Sequence, residues 1–77
     1  MVAAYVLVQT DVGRSAEVAE EIAILPGVTM AAAVAGPYDV IAKIEADNVD
    51  LLGKLVVSQI QAVEGITRTL TCPIVLL

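Results

Sequence analysis

Residue types converge on a chemistry at the turn Gly36-Pro37-Tyr38-Asp39-Val40. It lies almost midway along the 77 residues, between two apolar runs. A carboxylate set among apolar strand residues is costly to bury, so Asp39 needs a partner. Gly36 and Pro37 fix the backbone that presents it. Two readings of Asp39 stay open. It closes an Asx turn on its own backbone, or it accepts the ammonium group of a small ligand. In the second case backbone N–H groups around Gly36 and Tyr38 receive the ligand's carboxylate. A small zwitterion then gains a charge-assisted hydrogen bond at each end.

A second constellation is the alternation Thr67, Thr69, Thr71. These are either β-branched residues on a partly wet strand face or a row of hydroxyls lining a polar pocket. Arg68 between them either pairs with a helix acid or reaches across a subunit boundary. Cys72 stands alone, which excludes an internal disulfide and a Cys-based metal site. It reads as a small core or interface residue rather than a reactive thiol. The chain has no His, so imidazole acid–base or nucleophilic catalysis is excluded. Gly13, Gly27, Gly36, Gly53 and Gly65 are too far apart for a phosphate loop. The first loop, Thr10 to Arg14, lacks the Cys-x-x-Cys of a copper chaperone. No metal or cofactor is expected.

The elements that must position these residues are legible from periodicity. Ala3 to Gln9 reads as a strand that is apolar on both faces. After the connection Thr10–Arg14, Ser15 to Leu25 reads as a helix. Its apolar stripe is Val18, Ala19, Ile22, Ala23 and Leu25, with Glu17, Glu20 and Glu21 largely outside it. Pro26-Gly27 stops it. Val28 to Ala35 reads as a second strand despite weak β propensity, because Pro-Gly and Gly-Pro pairs bracket it. Tyr38 to Ala46 is a third strand, with Val40, Ala42, Ile44 and Ala46 on one face and Ile41, Lys43 and Glu45 on the other. Asp47 is the expected N-cap of a second helix, with Asp50 at the capping-box position. That helix runs from about Asn48 to Ala62, with Leu51, Leu52, Leu55, Val56 and Ile60 as its stripe. Ile66 to Cys72 is the fourth strand. Pro73 then interrupts the ladder, and Ile74–Leu77 is an apolar tail.

The order βαββαβ predicts an α+β, ferredoxin-like sandwich: an antiparallel sheet with both helices on one face. The whole chain, residues 1–77, reads as one domain. The composition then demands a partner. The chain is 58% hydrophobic before Gly is counted, against a usual figure of roughly 45–50% with Gly included. A monomer this small buries only about 60% of its unfolded surface. No uncharged stretch reaches the about 20 apolar residues of a spanning helix, and Met1 to Thr10 lacks the basic residue and cleavage site of a signal peptide. The excess therefore points to self-association: a homodimer through the open face of the sheet, with the tail extending onto the partner. A net charge of −5, with four scattered Lys and Arg, argues against direct nucleic-acid binding. The expected location is cytoplasmic, without membrane contact.

Three segments together carry a resemblance. They are Leu25-Pro26-Gly27-Val28, Val34-Ala35-Gly36-Pro37-Tyr38-Asp39-Val40, and Val63-Glu64-Gly65-Ile66-Thr67-Arg68-Thr69. The chain resembles, over essentially its whole length, the effector-binding (RAM) domain of Lrp/AsnC regulators. The Gly-x-Tyr-Asp turn is the most specific part. The resemblance implies dimers that often assemble into rings of eight or ten subunits. It also implies an amino acid effector bound between dimers near that turn and the final strand. Carried onto this chain, the ligand-binding positions are Gly36, Tyr38, Asp39, Thr69 and Thr71. The regulators carry an N-terminal helix-turn-helix for which this chain leaves no room. It is therefore similar to the stand-alone members, and hetero-assembly with a full-length regulator is the implied route to transcription. Two other classes stay in view. One is a small dimeric α+β enzyme, monooxygenase- or isomerase-like, with a polar cleft between sheet and helices. The other is a purely structural oligomerisation module.

Overall fold

A computed structural model describes residues 1–75. The elements are β1 (Val2–Thr10), α1 (Ser15–Ala23), β2 (Val28–Ala33), β3 (Val40–Ala46), α2 (Val49–Leu55) with a π-helical turn (Val56–Ile60), and β4 (Ile66–Pro73). The sheet is antiparallel in the order β2-β3-β1-β4. This is the ferredoxin-like arrangement expected from the element order.

One face of the sheet meets the helices. Ala4, Val6 and Val8 of β1 and Val40, Ala42 and Ile44 of β3 pack there against Val18, Ala19 and Ile22 of α1. Leu52, Val56 and Ile60 complete the core from the second helix. No polar or charged side chain among the described residues is buried with them. The period-2 pattern of β3 thus sorts its residues as its sequence predicts. The helical stripes are narrower than expected. Ala23 is exposed, and Leu25 lies beyond α1, partly buried against the core. Leu51 is also exposed.

The opposite face carries Tyr5 and Leu7 of β1, which pair with Cys72 and Leu70 of β4 and with Lys43 and Ile41 of β3. Met30 and Ala32 extend it across β2. Tyr5, Met30 and Leu70 are 40%, 41% and 43% exposed. An apolar sheet face is thus left open to solvent, as the composition requires.

Several boundaries move, for local reasons. The second helix is capped by Asn48 instead of Asp47: the Leu51 amide donates to Asn48 Oδ1 at 2.9 Å. Asn48 holds the extended backbone a cap needs, which spacing alone does not distinguish from its neighbour. β2 ends at Ala33 and β3 begins at Val40, so the connecting turn is longer than the sequence suggests. Gly36 sits there at φ +150°, open to Gly and strained for other residues. Pro73 does not end the pairing. It lies on an edge strand, where a missing N–H is tolerated, and the Ile74 amide donates to Ala3 O at 2.9 Å. Leu76 and Leu77, the end of the predicted tail, lie outside the described residues.

Gly53 lies within α2, exposed, with open space where a Cβ would stand. Gly53→Ala is expected to stabilise the fold by about 0.5–1 kcal/mol through lost backbone entropy in the unfolded chain. In a domain of this size that raises Tm by roughly 2–8 °C. A fall in Tm in a thermal melt would show that the position has a packing role.

Candidate functional site

The turn between β2 and β3 is fastened to the end of β1. Asp39 N donates to Val8 O at 2.8 Å, and Val34 N donates to Asp39 O at 2.8 Å. The side chain does not close an Asx turn. Asp39 Oδ2 accepts from Thr10 N at 2.8 Å, across 29 residues of sequence, and Oδ1 accepts from no other described residue. Gln9 Nε2 donates to Pro37 O at 3.0 Å and ties the same turn from a second point. Asp39 therefore satisfies a strand-end amide while one carboxylate oxygen remains uncommitted. Tyr38 and Asp39 are half-buried, and Gly36 is exposed.

Thr69 and Thr71 lie on β4, opposite Val8 and Val6 of β1. β1 separates them from β3. With strands about 4.8 Å apart, two intervals put the turn and the threonines roughly 10 Å apart within one subunit. The structure thus forms two groups, Gly36-Tyr38-Asp39 at the turn and Thr69-Thr71 on the final strand, and does not bring them into contact within the subunit.

Thr69 belongs to an open groove of about 290 Å³ lined by Gln61, Ile66, Thr67, Arg68 and Thr69. Gln61 Nε2 donates to Thr69 Oγ1 at 2.9 Å. Gln61 is the residue that periodicity does not single out. It follows the π turn, whose widened closure is the Gln61 N to Val56 O bond at 2.9 Å. That turn carries the side chain over β4, and the only signal for it is tertiary. The groove lies at the sheet edge. The space between sheet and helices, where a substrate cleft of the monooxygenase kind would lie, is filled by the aliphatic core. Among the described residues no three His, Cys, Asp or Glu gather to hold a metal, and no helix is long and apolar enough to cross a membrane.

Comparison with known proteins agrees with this fold. The Lrp/AsnC ligand binding domain matches residues 3–75. An uncharacterized HTH-type transcriptional regulator of Pyrococcus furiosus is 37% identical over 71 residues, 88% of this chain and 47% of the relative. The chain thus spans about half the length of the curated relatives it matches. Among solved structures, TTHA0845 from Thermus thermophilus superposes with a TM-score of 0.92 at 34% identity, covering 100% of this chain and 96% of that one. Escherichia coli AsnC superposes with a TM-score of 0.89 at 20% identity, covering 97% of this chain and 51% of AsnC, a likeness of fold. The chain belongs to the Lrp/AsnC ligand-binding domain family, whose members include transcriptional regulators.

Proposed function

We propose that this chain is a ligand-sensing and oligomerisation module. In this reading two copies pair through the open sheet face, and further contacts between dimers bring the Gly36-Tyr38-Asp39 turn beside Thr69 and Thr71 of the final strand. A small amino acid or related metabolite binds there, its ammonium group against the free oxygen of Asp39. The module works in the cytoplasm and acts on transcription by assembling with a full-length regulator, without touching nucleic acid itself. It is not an enzyme.

The observation that carries the reading is the fastened turn. A half-buried carboxylate held by one oxygen, with the other uncommitted, is a rigid acceptor for a cationic group. Support comes from the family match and from a neighbour of the same fold, NMB0573 of Neisseria meningitidis, whose structure is described as a complex with L-Met. A thermal-shift screen of the amino acids tests it. A ligand at 100 times its Kd adds about 2.7 kcal/mol, and each kcal/mol moves Tm by roughly 4–8 °C in a domain this small. A rise of roughly 10–20 °C is therefore expected with the cognate compound. If no amino acid at millimolar concentration moves Tm, the sensor reading is lost and assembly alone remains.

A further inference from the structure

The groove at the outer edge of β4 is built by two departures from regular geometry. Along a regular strand only every second residue faces a given side, yet four consecutive residues, Ile66 to Thr69, line this groove. The β1–β4 register supplies the reason. Gln9 pairs with Arg68 and Thr10 pairs with Ile66, so Thr67 is an extra residue, a bulge; Arg68 opposite Gln9 and Thr69 opposite Val8 still alternate, so the groove runs along the strand's free edge and draws on both of its faces. Opposite it, the π turn Val56–Ile60 delivers Gln61. Bulges of both kinds concentrate at functional sites because they turn side chains toward a ligand at some cost in regularity. Here one stands on each wall of the same groove.

The chemistry of the lining is one-sided. Arg68 is exposed and forms no ion pair with any described residue; the ion pair found is Arg14 with Glu17. Its guanidinium offers a planar fork of donors that matches a carboxylate. The Gln61 amide donates to Thr69 Oγ1, so the Thr69 hydroxyl proton stays available to donate to another group. Thr67 adds a second hydroxyl. No acidic side chain lines the groove, in a chain with nine Asp and Glu and only four Lys and Arg. A lone cation among hydroxyl donors in an otherwise anionic protein is a local inversion of sign.

We infer that this groove takes the carboxylate of a small organic acid, held by Arg68 with the Thr67 and Thr69 hydroxyls, and that the effector is accordingly a dicarboxylic amino acid. The second clause rests on the sensor reading above; the groove itself does not.

Calorimetric titrations of the chain with L-aspartate, L-asparagine, succinate and inorganic phosphate separate the two. The variants are Arg68→Gln and, as a charge-matched control outside the groove, Lys54→Gln. L-aspartate is expected to bind roughly ten- to a hundredfold tighter than L-asparagine, the range of a charged hydrogen-bonded contact. Arg68→Gln removes that preference and Lys54→Gln keeps it. Equal binding of aspartate and asparagine, or a preference that survives Arg68→Gln, overturns the acid selectivity while the sensor reading stands. Succinate binding that depends on Arg68, without binding of either amino acid, upholds the groove and overturns the dicarboxylic amino acid as effector. Phosphate binding tighter than succinate, or no binding by any of the four, overturns the carboxylate site.

Discussion

Leu7→Asp is expected to convert the protein into a folded monomer that sediments at 8.0 kDa. Leu7 sits on the open face of the central strand β1, flanked by Ile41 on one side and Leu70 on the other. In a single subunit the position is half-exposed, so the new carboxylate stays hydrated and the core beneath is untouched. In a sheet-to-sheet dimer the same carboxylate is taken out of water, once from each copy by two-fold symmetry. The effective penalty is several kcal/mol per buried ion, and the cations of this face, Lys43 opposite Tyr5 and Arg68 opposite Gln9, do not stand directly across from Leu7. The lost burial of two leucines adds roughly 3–6 kcal/mol at 1.5–3 kcal/mol each. Such a sum exceeds the stability margin of most dimers at micromolar concentration, where about 8 kcal/mol separates bound from free. Sedimentation with circular dichroism checks both halves. A Leu7→Asp variant that keeps the oligomeric mass of the parent protein rules out this face as the contact.

Ile60→Ala is expected to cost about 2–5 kcal/mol, the range for removing a large aliphatic side chain from a packed interior. Ile60 is fully buried and ends the π turn. It is one of three large residues, with Leu52 and Val56, by which the second helix grips the sheet. A small domain holds about 5–15 kcal/mol in total, so the loss takes a large share of it. Tm falls by roughly 8–40 °C. The effect also reaches the groove. Gln61 hangs from the turn that Ile60 pins, so a cavity there loosens the Gln61–Thr69 bond. Urea denaturation is the check, with the midpoint reduced and the slope unchanged. A variant within about 1 kcal/mol of the parent would mean that the helix end repacks and that the π turn is not held by this contact.

Both predictions rest on features of different legibility. Leu7 is readable from the chain, because Ala3 to Gln9 is apolar at both phases of its alternation and two helices cover only one face of a sheet. Ile60 is readable as part of a helical stripe. The π turn that makes it a hinge for Gln61 is not, since Val56–Ile60 carries no local signal distinct from an α-helix. The joint at Gly27 shows an intermediate case. Pro26-Gly27 announces a helix stop, and Gly27 indeed has φ +87°. The chain does not announce that a Cβ there would stand 2.8 Å from Leu55 Cδ2 and 3.1 Å from Glu45 O. Asp39 stands out in the sequence as a carboxylate in need of a partner. The partner, the Thr10 amide, belongs to a strand end 29 residues away.

The sequence by itself determined the order of elements, the face that β3 buries, the second apolar face of β1 and the break between strands at Gly36-Pro37. All of these follow from periodicity, composition or short-range backbone preference, which act over a few residues. Only the tertiary structure decided what Asp39 holds, that β1 separates it from Thr69 and Thr71, and that Gln61 and Arg68 share a groove. Those facts depend on strand register and on one-residue bulges. A shift of a single residue changes which side chains meet, and it leaves the local pattern nearly unaltered.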